Sequence, residues 1–319
     1  MSAYLIRRAI STAITLLAIS TLVFAILALA PGDPMAEFAT DPSMSREVRE
    51  GIRRSLGLDQ PLYIRYVRWL QALGHGDMGY SFTSRSPVGE LIAQRIPTTL
   101  GVVGVAYLIS VLLAIPLGVL AALRPYSLFD QISSTLAFIG FSLPTFFTGL
   151  LFIIILGVRL NWLPFIYDST LMITDWPSLV AQVRQSAMPI AVLALYQTAA
   201  LMRFTRSSAL EAIHRDYVRT ARAKGLPERV VIGRHVLRNA LIPVVTLVAL
   251  GAPAVFTGAL VTEQVFRVPG IGSLLIGSIQ SSDTPVVMAI TCIYALLIVL
   301  FNLLADLLYA VLDPRVQRT

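Results

Sequence analysis

Six long apolar runs organise the chain. Residues 9–30, 96–123, 131–158, 187–202, 241–261 and 286–305 contain no Asp, Glu, Lys or Arg. A helix needs roughly 20 apolar residues to cross a bilayer, and all of the runs but 187–202 reach that length. The helix of that shorter run is expected to continue past Arg203, whose long side chain can snorkel to the interface. The pattern predicts six spanning helices. The first run, behind Arg7 and Arg8, exceeds the roughly 7–15-residue core of a signal peptide, and Ala30-Pro31 is a poor cleavage site. It reads as an uncleaved first helix.

The connections are uneven. Residues 31–95 are too many for a simple loop. Within them, 44–56 is strongly charged and predicts a surface helix. In 61–73, Leu62, Tyr66, Trp69, Leu70 and Leu73 recur at helical spacing behind Pro61, a residue suited to a first helical turn. Tyr and Trp favour a membrane interface, so this piece reads either as a helical cap on the outer surface or as a partner-binding scoop. Residues 159–186 hold Pro164, Pro177 and aromatics without a repeating signal. In 262–285, Ile271, Leu274, Leu275 and Ile279 predict a short helix against the bundle. Pro116, Pro144, Gly251 and Pro253 perturb three of the spans, since proline removes a backbone donor and kinks a helix. The expected organisation is 1–30 (terminus and first span), 31–95 (outside segment) and 96–319 (a core of five spans with a cytoplasmic loop over 203–240).

Composition and charge set the orientation. Hydrophobic residues make up 56% of the 319 positions and charged residues 13%, about half the charged fraction of soluble domains. Six spans return both termini to one side. On that side lie Arg7, Arg8, Arg124, the basic stretch from Arg203 to Arg238, Arg315 and Arg318, whereas the short loops opposite hold only Arg159, Arg184 and Arg267. Short-loop Lys and Arg mark the cytoplasmic face, so both termini are expected there. The net charge of +7 follows from this bias and implies no nucleic-acid partner; membrane lipid is the expected surrounding. Cys292, the single cysteine, lies within an apolar run as a packing residue.

The basic stretch has a shape of its own. Asp216 is placed to cap a helix beginning at Tyr217, and Arg222 and Lys224 fall in its last turn, where cations suit the helix dipole. Gly225 stands where a left-handed C-terminal cap is needed. Leu226-Pro227 restarts the chain towards His235 and Asn239. Helix, corner, helix is the prediction for 216–239. Tyr217 and Ala221 share a face four residues apart, and small Ala221 and Ala223 permit close approach by another surface. A rigid, basic, capped element on the cytoplasmic side reads as a docking surface.

The run Asp216-Tyr-Val-Arg-Thr-Ala-Arg-Ala-Lys-Gly-Leu226, followed by His235-Val-Leu-Arg-Asn239 and Pro243, resembles the cytoplasmic loop of ABC importer permeases. It is most similar to the dipeptide/oligopeptide/nickel subclass, B-type subunit. Ala30-Pro-Gly-Asp-Pro34, Gly76-Asp-Met-Gly-Tyr-Ser81, Arg95-Ile-Pro-Thr98, Thr262-Glu-Gln-Val-Phe266 with Pro269-Gly270, and Asp313-Pro-Arg315 extend the resemblance over the whole chain. Two positions depart from the broader permease pattern: its acidic-Ala-Ala start is Arg219-Thr220-Ala221 here, and its later Ile-x-Leu-Pro is His235-Val-Leu-Arg238. Both fit the peptide subclass. The resemblance implies an all-α integral membrane protein, the six-span transmembrane domain of a type I ABC importer with a cytoplasmic coupling-helix hairpin and a small extracytoplasmic helical elaboration. It implies a second permease, two ATP-binding subunits carrying ATP and Mg, and an extracytoplasmic solute-binding protein as partners, in a prokaryotic inner membrane. It also implies that Asp216, Tyr217, Thr220, Ala221, Arg222, Lys224 and Gly225 couple this chain to the ATPase.

Other chemistry is sparse. Lys224 is the only lysine, and no Gly-x-x-x-x-Gly-Lys-Ser/Thr precedes it, so this chain has no phosphate-binding loop. No enzymatic activity, cofactor or metal is expected of it. His75, His214 and His235 are scattered. Asp306 is the one acid deep in an apolar stretch, with Asn302 one turn earlier. An ionisable residue in a span is a functional candidate, here for gating or structure. A carrier working alone, coupled to ions through Asp306, is the alternative. Glu263 ends the fifth run and is expected at the outer edge.

Overall fold

A computed structural model describes residues 2–29, 47, 50, 51 and 59–312, with the side chains of 2–9, 257 and 306–312 excepted. Of the expected surface helix over 44–56 only 47, 50 and 51 are described, and the motifs at 30–34 and 313–315 lie outside the described residues. Among the described residues the chain is mostly helical. Five helices are long and apolar enough to cross a membrane, and a sixth span results if one sharply bent pair is counted together. The chain forms two compact units, Met1–Pro97 with Ile271–Val299, and Thr98–Gly270 with Leu300–Thr319.

In the first unit, α1 (Ser2–Leu29) exposes Ile10, Ile14, Leu22 and Ile26, an apolar surface suited to hydrocarbon. The expected amphipathic helix is α2 (Leu62–Gly74), which Pro61 flanks as its N-cap. α2 is fastened to α1 by Tyr66, whose hydroxyl lies 2.8 Å from both Ser20 Oγ and Thr21 Oγ1. Its ring packs against Phe24 and Trp69. After α2, Asp283 organises the loop that enters α3 (Val88–Thr99). Its buried carboxylate accepts the Ser81 hydroxyl and the Phe82 and Thr83 N–H groups. Ile271 of α13 (Ile271–Gln280) and Val286, Ala289 and Ile290 of α14 (Thr284–Leu312) pack around Val88 and Ile92 of α3. The expected helix over Ile271 to Ile279 is thus present, although Ile279 is exposed.

In the second unit, a π-helical turn, Leu100–Gly104, leads into α4 (Val105–Leu123). α4 packs along α7 (Trp176–Ile213). Without a hydrophobic driving force between helices in lipid, small residues allow the close van der Waals packing that replaces it. Ala114, Gly118, Ala121 and Ala122 of α4 are all buried. Gly118 is required: a Cβ there would lie 2.7 Å from Thr205 Cβ and 2.8 Å from the Met202 carbonyl oxygen of α7.

Two expectations are revised in this unit. The run over 131–158 is not one continuous helix but two, α5 (Leu128–Ser142) and α6 (Thr145–Phe152) with its π-helical extension Ile153–Arg159, bent by 102°, the geometry of a broken span or a re-entrant loop. Pro144 both ends α5, by denying it a backbone donor, and caps α6. The run over 187–202 is the middle of the 38-residue α7. α7 starts in the supposed loop because Asp175 and Ser178 form a capping box, with Pro177 in the first turn. The short α11 (Pro253–Thr257) leads to α12 (Leu260–Phe266), which carries Glu263, buried at 1% exposure. Its carboxylate lies where a Cβ on Gly270 would sit.

Candidate functional site

The basic stretch after α7 is built upwards from a small buried cluster. α8 (Asp216–Ala223) is followed by the corner 224–227, then α9 (Glu228–Val230), a π-helical segment Val231–Leu237 and α10 (Arg238–Gly251). Val218 and Ala221, three apart on α8, pack with Val231 and Val236, with Ala209 and Ala212 of α7, Ala240 of α10 and Ala122 of α4. The Ser208 hydroxyl donates to the Ala240 carbonyl at 2.7 Å. The stretch therefore has a core of its own.

The corner is closed by backbone geometry. Gly225 has φ +73°, the left-handed region that glycine enters without a side-chain penalty. Its N–H donates to Arg222 O at 2.9 Å and the Leu226 N–H to Ala221 O at 3.4 Å, the two bonds of a Schellman cap. Across the corner, Arg222 donates from Nη2 and Nε to the Glu228 carboxylate at 2.6 and 3.2 Å. That carboxylate holds the Arg222 guanidinium above its ordinary value. Glu228 escaped the sequence reading, because a six-residue separation spans a corner that periodicity does not describe.

Every expected site residue except Asp306 is described in full. Asp216 does not cap α8. The helix begins at Asp216 itself, Arg215 is the N-cap without a side-chain bond, and the fully exposed Asp216 carboxylate lies 3.7 Å from Arg219. From a position inside the first turn, the carboxylate still complements the helix dipole. Thr220 is exposed and donates to Asp216 O at 2.9 Å. Tyr217, Arg222, Lys224 and Gly225 are exposed. Ala221 is 4% exposed and faces inward, so it does not share an open face with Tyr217; the cluster around Val218 claims it. Asn302 is half-buried in α14; the Asp306 side chain lies outside the described residues.

The surface is electropositive. Glu211, Asp216 and Glu228 are matched by Arg215, Arg219 and Arg222. Lys224, Arg229, Arg234 and Arg238 have no carboxylate within ion-pair distance among the described residues. A rigid platform with surplus cations and one exposed tyrosine suits an acidic partner surface.

One further ion pair fixes the approach to this platform. Arg206 of α7 grips Asp130 of α5 with two bonds of 2.5 and 2.7 Å. Asp130 is buried and also accepts the Tyr126 N–H at 2.8 Å and the Ser134 hydroxyl at 3.2 Å. Removing one partner of such a pair strands the other. Asp130 lies in the first turn of α5 and Arg206 in the C-terminal part of α7, and the sequence offers no signal that pairs them.

Comparison with known proteins assigns relatives to this arrangement. The family described as binding-protein-dependent transport system inner membrane component matches residues 114–318. Its N-terminal counterpart matches residues 1–103. The chain is 42% identical to the oligopeptide transport system permease protein AppB of Bacillus subtilis, over 99% of this chain and 100% of that one. It is 39% identical to a putative peptide permease protein of Brucella suis, over 95% of each chain. It is 37% identical to the dipeptide transport system permease protein DppB of Escherichia coli, over 99% of each.

Proposed function

The chain belongs to the family of binding-protein-dependent transport system inner membrane components, and on that premise we propose that it is a permease subunit of an ATP-driven importer of short peptides. It forms the translocation path with a second permease and receives the force of ATP hydrolysis from two ATP-binding subunits. Peptide is delivered by a solute-binding protein from the side opposite the termini, which are cytoplasmic. The 31–95 segment belongs to that outer side, and the 203–240 loop to the inner. ATP and Mg are held by the partner subunits, and the chain itself performs no catalysis.

The observation that carries the coupling role is the platform at 216–239: a helix with its own buried core, a glycine-closed corner and an exposed basic face. Such an element transmits displacement because it moves as one piece. Tyr217, Thr220 and Lys224 meet the ATPase surface, while Ala221 and Gly225 maintain the shape they are presented on. The relatives named for peptide transport support peptides as the substrate class.

Purification of the tagged chain from native membranes in mild detergent tests the reading. A second permease and ATP-binding subunits should co-purify in stoichiometric amounts, with ATPase activity stimulated by a peptide-loaded binding protein. A chain that comes out alone and transports in an ion gradient without ATP would instead support the carrier coupled through Asp306.

A further inference from the structure

Arg203 is a charge of α7 that neither the docking platform nor the Asp130 pair uses, whereas Arg184 donates to the Trp162 carbonyl at 2.9 Å. A guanidinium stays protonated in a protein. Among the described residues no carboxylate lies within ion-pair distance of it. It is placed 5.9 Å from the centre of the Phe141 ring, and Phe141 stacks on Tyr196 at 5.6 Å with an interplanar angle of 14°. All three side chains are exposed in this chain.

The direction of Arg203 matters. Snorkelling would carry it towards the end of α7 where Arg206 meets Asp130. Side chains on a helix lean towards its N-terminus, which for α7 is the Trp176 end. Arg203 begins only about 4.5 Å along the axis from Arg206, while Phe141 is carried about 16 Å along α5 from Asp130. The guanidinium therefore reaches into the spanning length to find its ring. A charge held there faces protein or a water-filled path, not lipid.

A second observation converges on the same place. α5 ends at Ser142, one residue past Phe141, and the chain turns by 102° into α6. Pro144 supplies no N–H, so the last carbonyls of α5 lose helical partners. Within a membrane, such a break persists only against protein or a water-filled cavity. It also presents carbonyl oxygens, the negative end of the helix dipole, which attract cations. A fixed cation on an aromatic seat beside a carbonyl-rich break matches a ligand bearing both a carboxylate and an ammonium group.

We infer that Arg203, seated on the Phe141 ring that Tyr196 stacks against, beside the break at Pro144, receives the C-terminal carboxylate of a peptide during translocation. The inference rests on the peptide-importer reading. The planar fork of arginine makes two parallel bonds to a carboxylate, and the Phe141 ring face holds it open for an incoming anion. Lysine offers the charge without the fork.

The test uses the complete transporter with its binding protein in proteoliposomes, and trialanine as the probe. Arg203→Gln should reduce ATP-driven trialanine uptake about tenfold or more, with assembly and stimulated ATPase activity retained. Arg203→Lys should recover part of the loss. Uptake by Arg203→Gln at the wild-type rate would overturn the inference. So would loss of the second permease on purification, which would make Arg203 an assembly contact. Absence of ATP-driven trialanine uptake by the wild-type complex is a separate result, overturning the peptide-importer reading and this ligand with it.

Discussion

Gly225 carries the sharpest demand on residue identity. At φ +73° a β-branched side chain is strained by about 1–2 kcal/mol, and the two cap bonds that close the corner depend on that conformation. Gly225→Val should therefore leave membrane insertion unchanged while lowering ATP-driven uptake several-fold, as the platform loses its fixed shape. Uptake and stimulated ATPase activity, measured on the same preparation, check this; normal coupling in the variant would remove the platform from the mechanism. This glycine was legible in the sequence because a helix cap is local: a basic last turn, then glycine, then Leu-Pro. The inward turn of Ala221 was not, because it depends on Val231, Val236 and the end of α7 arriving from elsewhere in the chain. Asp216 misled for a related reason. A capping residue and a first-turn acid look alike in sequence, and the boundary between them is a single residue.

At the scale of elements, α4 and α7 depend on contact distance. Gly118→Ala would drive a methyl group to within 2.7 Å of Thr205 Cβ. Overpacking of this kind costs about 1–3 kcal/mol, so the variant should melt earlier in detergent. Gly101→Ala, where nothing lies within 4 Å, should not. Equal melting of the two variants would mean that α4 and α7 do not approach this closely. The start of α7 has its own pH signature. Asp175 is held below the ordinary aspartate value of 3.8 by bonds from the Ser178 hydroxyl and the Ser178 N–H. A depressed carboxylate contributes its cap fully above the ordinary value and loses it as pH falls through the lower folded value. Amide exchange at the first turn of α7, referenced to the intrinsic rate, should therefore gain protection as pH rises through that window. Asp175→Asn should flatten the response. The charge-free apolar runs located every long helix among the described residues, yet they shortened α7, because polar residues such as Gln185 and Arg206 satisfied by neighbours read as loop. They joined α5 to α6 because Pro144 marks where the run is perturbed but not how sharply it turns.

For the whole molecule, two family matches that together span nearly all of the chain agree with a resemblance visible in motif order alone. The class of protein was therefore legible, and its partners follow as proposals from that class. What the sequence could not provide was the division of labour within the basic stretch: which residues form the scaffold and which face outward. That division makes the central claim testable at one atom. Tyr217 stands exposed on the platform, so a photo-crosslinking amino acid installed at position 217 reports directly on what docks there. In native membranes, irradiation should yield one dominant adduct, with an ATP-binding subunit. It should weaken when Gly225→Val is combined with it. Adducts formed only with lipid, or none from a transporter that still takes up peptide, would contradict the account.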